Sequence, residues 1–297
     1  MKAMKTSKPA VDLKGVMILI ILCASWGFNQ VAIKVAIEGI SPVLQAGLRS
    51  MGSAALLMLW MRFKNIPIFN KDGSFWWGIA AGTLFSAEFI LIYWGLEFTS
   101  ASRSAIFLNT APFGVALGAH LFIPKEKLRP LQVIGLCLAF GGIVAVFNDA
   151  MGLPESIALL GDVMILAAAL LWASVTVMIK ASPLIHISPG KVLLYQLLVS
   201  ALFLPVASVI LGEPGIKDLS AMVGLSMAYQ IVWVAFITYL AWFWLISNYP
   251  VSKIAPFTFL SPLFGVISGV MILNEPMTPL LILALLLVGT GIYLVNK

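Results

Sequence analysis

The stretch GVMILIILCASWGFNQVAIK, Gly15 to Lys34, has a counterpart in GDVMILAAALLWASVTVMIK, Gly161 to Lys180. Each is about the 20 apolar residues that a helix needs to cross the hydrocarbon core of a bilayer. Gly15, Trp26 and Lys34 in the first copy recur as Gly161, Trp172 and Lys180 at identical spacings. A membrane-spanning segment has therefore been duplicated, and the fold depends on how far the duplication runs and which way each copy faces.

The likeness extends through both halves in order. Ile40-Ser41-Pro42 answers Ile187-Ser188-Pro189, and Trp94, Ser102, Arg103, Ala105 and Pro112 answer Trp244, Ser252, Lys253, Ala255 and Pro262. Glu126, Pro130 and Gly142-Ile143 then answer Glu275, Pro279 and Gly291-Ile292. Between these landmarks lie apolar runs at 15–36, 43–61, 74–96, 104–123, 131–147, 159–179, 191–211, 221–246, 254–273 and 279–296. Their breaks fall at Ser41-Pro42, Pro67, Pro124, Pro130, Pro154, Pro189, Pro214 and Pro276, the usual punctuation between helices. The expectation is an all-α membrane protein of ten transmembrane helices: a tail at 1–14, a first five-helix unit at 15–150 and a second at 158–297. Five is odd, so the second unit enters the membrane inverted.

Composition agrees. Of 297 residues 61% are hydrophobic and 10% charged, with a mean hydropathy of +1.04, whereas soluble domains carry about 25% charged residues. The net charge of +6 sits in small groups between the apolar runs, without the basic stripe of a nucleic-acid binder. With the N-terminus inside, Lys2, Lys5, Lys8, Lys14, Arg62, Lys64, Lys71, Lys125, Lys127, Arg129, Lys180, Lys191, Lys253 and Lys297 are all inner. The outer loops hold only Arg103 and Lys217, beside Glu38, Glu97, Asp149, Glu155, Glu213, Asp218 and Glu275. That bias is the positive-inside pattern. Both termini are then cytoplasmic, and the basic N-terminal region is read as the start of a retained first helix, not a cleaved leader. Cys23 and Cys137 lie in apolar runs, where both are expected to be small buried residues, and do not report on redox compartment.

The two units, with a tryptophan central in the first helix, I-S-P in the first loop and Pro112-Phe113-Gly114 or Pro262-Leu263-Phe264-Gly265 in the fourth helix, resemble the EamA repeats of the drug/metabolite transporter superfamily. Among these, the chain is most similar to bacterial exporters of amino acids, in particular the branch exporting aromatic amino acids and methyl viologen. The resemblance implies a ten-helix basket in the bacterial cytoplasmic membrane. It also implies a central cavity lined by the first, third and fourth helix of each unit.

Inverted repeats in secondary transporters hold the solute near the midplane between the halves. Trp26 and Trp172 are central in their spans, although tryptophan ordinarily favours the membrane interface, so both are expected to face an interior. Helical spacing places Asn29, Gln30 and Ile33 on the face of Trp26, where the polar pair either contacts solute or joins helices. Glu88 is a carboxylate inside the third span, which marks a functional site by default. It could bind an ammonium group, exchange a proton as coupling ion, or be a neutral structural acid. Asn109, Gln230 and Trp233 are further cavity candidates, and Phe85, Tyr239 and Trp242 would supply an aromatic lining. Trp76, Trp77, Trp94 and Trp244 fall at span ends as interfacial belts. Pro112 and Pro262 are expected to bend the fourth and ninth spans as gates. Lys34 and Lys180, at opposite faces, either steer a carboxylate or snorkel to lipid.

No metal-ligand spacing, Walker A or G-x-S-x-G motif is present, which argues against a membrane enzyme and against ATP-driven transport. The partners expected are a small solute, most readily an amino acid with an aromatic or other hydrophobic side chain, and the lipid bilayer. Hydrophobic cations and nucleobases are alternative solutes. The protein is expected to act as a monomer and to need no cofactor.

Overall fold

The computed structural model describes residues 10–68, 70, 72–99, 101–124, 126–146, 156–273 and 279–297. The basic tail to residue 9, Lys71, Lys125, the acids Asp149 and Glu155, the Pro154 and Glu275-Pro276 loops and the side chain of Arg103 lie outside this description. The first half folds as α1 (Leu13–Ile37), α2 (Pro42–Phe63), α3 (Phe75–Gly95), α4 (Ala101–Leu108), α5 (Ala111–Phe122) and α6 (Pro130–Val146). The second half comprises α7 (Ser156–Ala181), α8 (Pro189–Ile210), α9 (Ala221–Ala228), α10 (Tyr239–Asn248), α11 (Val251–Ile254), α12 (Leu260–Leu273) and α13 (Pro279–Asn296).

The I-S-P motifs act as helix starts. Pro42 and Pro189 each take the first helical position, where a missing N–H costs nothing and φ is already helical. Seven helical stretches among the described residues are long and apolar enough to cross a membrane, and two shorter apolar ones cover 130–145 and 282–296. α2 is as long but less apolar, because Gln45, Arg49, Ser50 and Ser53 interrupt it.

The radial distribution of polarity is that of a membrane protein. Val209, Ile210, Leu202 and Leu286 are each more than 60% exposed, while Gln45, Arg49, Ser53, Ser86, Gln196, Ser200 and Gln230 are buried. Lipid is as apolar as leucine and gives no drive to hide it, so polar bonding and close packing between helices hold such bundles together.

The helix contacts come in exchanged pairs. α1 packs on α12 and α7 on α5, while α2 pairs with α8 and α6 with α13. At atomic level, a Cβ on Gly27 would lie 2.8 Å from the Cβ of Phe264, and one on Gly114 would lie 2.8 Å from that of Ala173. In the repeat register Gly27 corresponds to Ala173 and Gly114 to Phe264, so these two contacts are images of each other. Gly135 against Gly291 and Gly142 against Ala284 are related in the same way.

Acidic side chains join the halves at the helix ends. Glu213, after α8, accepts from the N–H groups of Val43 (2.9 Å) and Leu44 (3.1 Å) at the start of α2, where the helix dipole favours a negative charge. Glu126 accepts from the N–H (3.0 Å) and hydroxyl (2.8 Å) of Ser252 at the start of α11. Asp72, after α2, pairs with Lys191 of α8 at 2.7 Å, and that ammonium also donates to Asn70. Burial opposes ionisation of Asp72, but hydrogen bonds from Lys191 and Ser74 and the lysine charge hold its carboxyl at about 2, against an ordinary 3.8. Lys180 is neither free nor snorkelling: it donates to the carbonyls of Ile246 (2.7 Å) and Tyr249 (2.8 Å), capping the end of α10.

Two measurements test this packing. Gly135→Ala should destabilise the purified protein by about 2 kcal/mol, because the new methyl meets the Gly291 carbonyl, 2.6 Å from the ideal Cβ position. Gly289→Ala, with nothing within 4 Å, should leave the thermal midpoint unchanged. Asp72→Asn should cost about 1 kcal/mol at neutral pH, as expected for a partly screened ion pair. Because the folded pKa lies below the unfolded one, that difference should persist above pH 4 and fade as pH drops towards 2.

Candidate functional site

Where α1, α2, α3, α7 and α10 converge, aromatic rings form a continuous chain. Trp172 stacks on Trp242 (centroids 5.9 Å apart, planes at 24°), and Trp242 meets Trp26 edge-on at 5.6 Å. Trp26 contacts Tyr239 at 6.3 Å, Tyr239 contacts Phe85 at 6.2 Å, and Phe85 contacts Phe89 at 4.8 Å. Phe89 then stacks on Tyr93 at 6.1 Å. Edge-to-face and offset stacks are the favoured arrangements of aromatic quadrupoles. The Trp26 indole donates to the Thr238 hydroxyl at 2.9 Å, and that hydroxyl bonds back to the Val234 carbonyl at 2.6 Å. Thr238 occupies the repeat position equivalent to Glu88, so the two related positions border one aromatic assembly.

Inside it lies a residue that the sequence reading passed over. Arg49 is 1% exposed, and its guanidinium carbon sits 4.5 Å from the centroid of Phe89 and 5.8 Å from that of Tyr239. The signal was available, since an arginine stands mid-span in L-Q-A-G-L-R-S-M-G-S-A, where any ion is costly and usually functional. Glu88 is 6% exposed and close enough to Arg49 for the charges to act on each other. Among the described residues no ion pair within 4 Å joins them. Arg49 Nε and Nη2, Glu88 Oε2 and the Tyr93 hydroxyl are all buried without a hydrogen-bond partner.

The other candidates divide. Trp26, Phe85, Glu88, Trp172 and Tyr239 are brought together, with Trp242. Asn29 is buried nearby on α1 with Oδ1 unpartnered, but Gln30 is exposed and does not share that inward face. At about 100° per residue, Asn29 and Gln30 lie at opposite edges of the stripe centred near Trp26. Gln230 is fully buried and serves a helix junction: its amide oxygen accepts from Gln45 at 3.0 Å and its nitrogen reaches the Ala32 carbonyl at 3.4 Å. Trp233 is 39% exposed and donates to the Ser25 hydroxyl at 2.9 Å. Both stand on the wide π-helical stretch Tyr229–Thr238 that joins α9 to α10, a form often found at functional sites. Asn109 bonds back to the Ala105 carbonyl at 2.7 Å.

The fourth and ninth spans are broken, where the sequence led us to expect continuous bent helices. α4 stops at Leu108, and α5 restarts at Ala111 with Pro112 in its first turn. α11 passes through the 3₁₀ stretch Ala255–Phe259 into α12, with Pro262 in its first turn. A proline lacking its N–H is accommodated best in a first turn, so restarting the helix avoids the clash that an interior proline would cause. Of the expected belt, Trp76 (78%), Trp77 (44%) and Trp94 (39%) are exposed, whereas Trp244 packs under the Lys14 ammonium at 5.2 Å. An apolar cleft of about 570 Å³, lined by Ile18, Trp60, Phe236, Leu240 and Trp244, opens at the Lys14 end of the bundle, on another face of the helix carrying Tyr239 and Trp242.

The EamA-like transporter family matches residues 13–148 and again 159–297, both halves of the chain. The chain belongs to that family. A relative named "Probable amino-acid metabolite efflux pump", from Escherichia coli (strain K12), is 27% identical over 94% of this chain and 93% of its own. The uncharacterized transporter YetK of Bacillus subtilis (strain 168) is 30% identical over 84% of this chain and 77% of its own. A crystal structure at 16% identity superposes with a TM-score of 0.82 over 94% of both chains, showing the same fold. The protein is thus a multi-pass transporter of this family, and its interior holds a buried cluster that is both aromatic and charged.

If that cluster handles the transported solute, Trp26→Ala should reduce transport by reconstituted protein about tenfold or more. Trp94→Ala, at an exposed helix end, should leave it near wild type. Equal losses would separate the aromatic cluster from function.

Proposed function

We propose that the protein is a secondary transporter that exports small metabolites, foremost amino acids with aromatic or other hydrophobic side chains. In this reading ten helices span the bacterial cytoplasmic membrane as two inverted five-helix repeats, with both termini cytoplasmic and one chain forming the working unit. The two repeats rock in alternation around the cluster at the midplane, and the breaks beside Pro112 and Pro262 let half-helices swing as gates.

The observation that carries this reading is the buried cluster itself. Helices of both halves meet there, its rings suit a flat apolar side chain, and its charges are not consumed by bonds within the protein. The exchanged helix contacts support the inverted relation of the repeats. The name of the Escherichia coli relative points to the same solute class. A hydrophobic cation would suit Glu88 and the aromatic faces, but the Arg49 charge beside them opposes it.

The test is counterflow. Proteoliposomes preloaded with unlabelled phenylalanine should accumulate labelled phenylalanine saturably, with inhibition by other aromatic amino acids and little by nucleobases. Non-saturating flux with single-channel currents would indicate a channel. Stably folded protein that exchanges no organic solute would overturn the carrier reading.

A further inference from the structure

We infer that Arg49 and Glu88 form a clamp for a zwitterion, with Arg49 taking the carboxylate and Glu88 the ammonium of a free α-amino acid. This rests on the carrier reading and goes further, because it predicts which chemical groups a solute must carry.

A charged pair inside a membrane bundle is ordinarily in contact and fully hydrogen-bonded, since an uncompensated buried charge is costly. These two residues depart from that rule together. Both are more than nine-tenths buried, they carry opposite charges, and they interact electrostatically without closing an ion pair. The unpartnered Arg49 atoms are Nε and Nη2, which form one edge of the guanidinium. That edge presents two parallel N–H donors, the fork that binds a carboxylate through both oxygens. The guanidinium lies against the rings of Phe89 and Tyr239, which fix its plane while leaving its donors free. Glu88 Oε2 supplies the matching acceptor, and the unpartnered Tyr93 hydroxyl offers a third polar contact.

A zwitterion satisfies both ends at once and adds no net charge to a low-dielectric site. An amine would leave Arg49 unpaired, and a carboxylic acid would leave Glu88 unpaired. A site built to bond a polar group rejects analogues lacking that group far more strongly than an apolar pocket rejects a change in size. Phe85, Tyr239 and Trp26 lie beside the clamp and would receive the side chain.

The experiment compares phenylalanine, phenethylamine and 3-phenylpropionate, which share the ring but carry both charges, the cation alone or the anion alone. Each is tested as a competitor of labelled phenylalanine counterflow and as a stabiliser in thermal unfolding of the purified wild-type protein. Phenylalanine should compete at least about tenfold better than either single-charge analogue and alone raise the unfolding midpoint. Arg49→Gln should erase the preference for phenylalanine over phenethylamine, and Glu88→Gln that over 3-phenylpropionate. Arg49→Lys, which keeps the charge without the fork, should weaken phenylalanine while retaining some preference. Counterflow in which the amine or the acid competes as well as phenylalanine refutes the clamp and leaves the carrier standing, as does unchanged discrimination in folded variants. Exchange of no solute refutes both. Where a variant does not fold, the wild-type competition profile decides.

Discussion

Backbone-to-backbone contact between helices is the constraint on which this structure depends. In a bilayer the bundle gains nothing by hiding leucine from lipid, so its cohesion must come from close approach and from bonds that lipid cannot supply. The glycine contacts supply the first: α6 meets α13 where Gly135 faces Gly291, and α1 meets α12 where Gly27 faces Ser261 and Gly265. Polar caps supply the second: Glu213 on α2 and Glu126 on α11 cross between the halves, and Lys180 caps α10 within the second half. With packing settled at the periphery and the helix ends, the centre is left to residues that would be poor packing material, including an arginine.

Much of this was legible in the sequence because duplication writes the same constraint twice. Gly15, Trp26 and Lys34 gain meaning only through Gly161, Trp172 and Lys180, and the I-S-P motifs locate two helix starts through one turn chemistry. Trp26, Trp172 and Glu88 stood out because each residue type is misplaced in lipid. Arg49 obeys the same logic, yet α2 reads as the least apolar span, so one more polar residue in it attracts little notice. Its repeat counterpart, Gln196, is also fully buried, which marks the position as polar in both halves.

The features that escaped the sequence depend on geometry that spacing cannot express. A proline near mid-span signals a bend, but whether the helix kinks or stops depends on its neighbours. Here Asn109 and Thr110 turn their side chains back onto the preceding carbonyls of Ala105 and Phe107 and end α4. Helical periodicity put Gln30 with Asn29, whereas the stripe is narrower than that spacing allows. Gln230 looked like a cavity residue because an amide in a span is conspicuous, and its role at the Gln45 junction becomes visible only once α2 lies beside the π-helical stretch.

The asymmetry of the centre bears on how such a protein could move. Repeat symmetry relates Glu88 to Thr238 and Arg49 to Gln196, so both charges belong to the first half and the second half offers neutral groups at the matching positions. On the carrier reading, rocking one half against the other leaves Arg49 and Glu88 on helices of the same unit. Within the aromatic chain, the contacts that cross between units are ring contacts and the Trp26-to-Thr238 bond, and each costs little to break beside the separation of buried ions. A symmetric site with one charge from each half would have to separate opposite charges in a low-dielectric interior at every turnover. Placing both charges on one unit keeps the electrostatic environment of the solute nearly constant while access changes, and leaves the barrier to contacts that can slide.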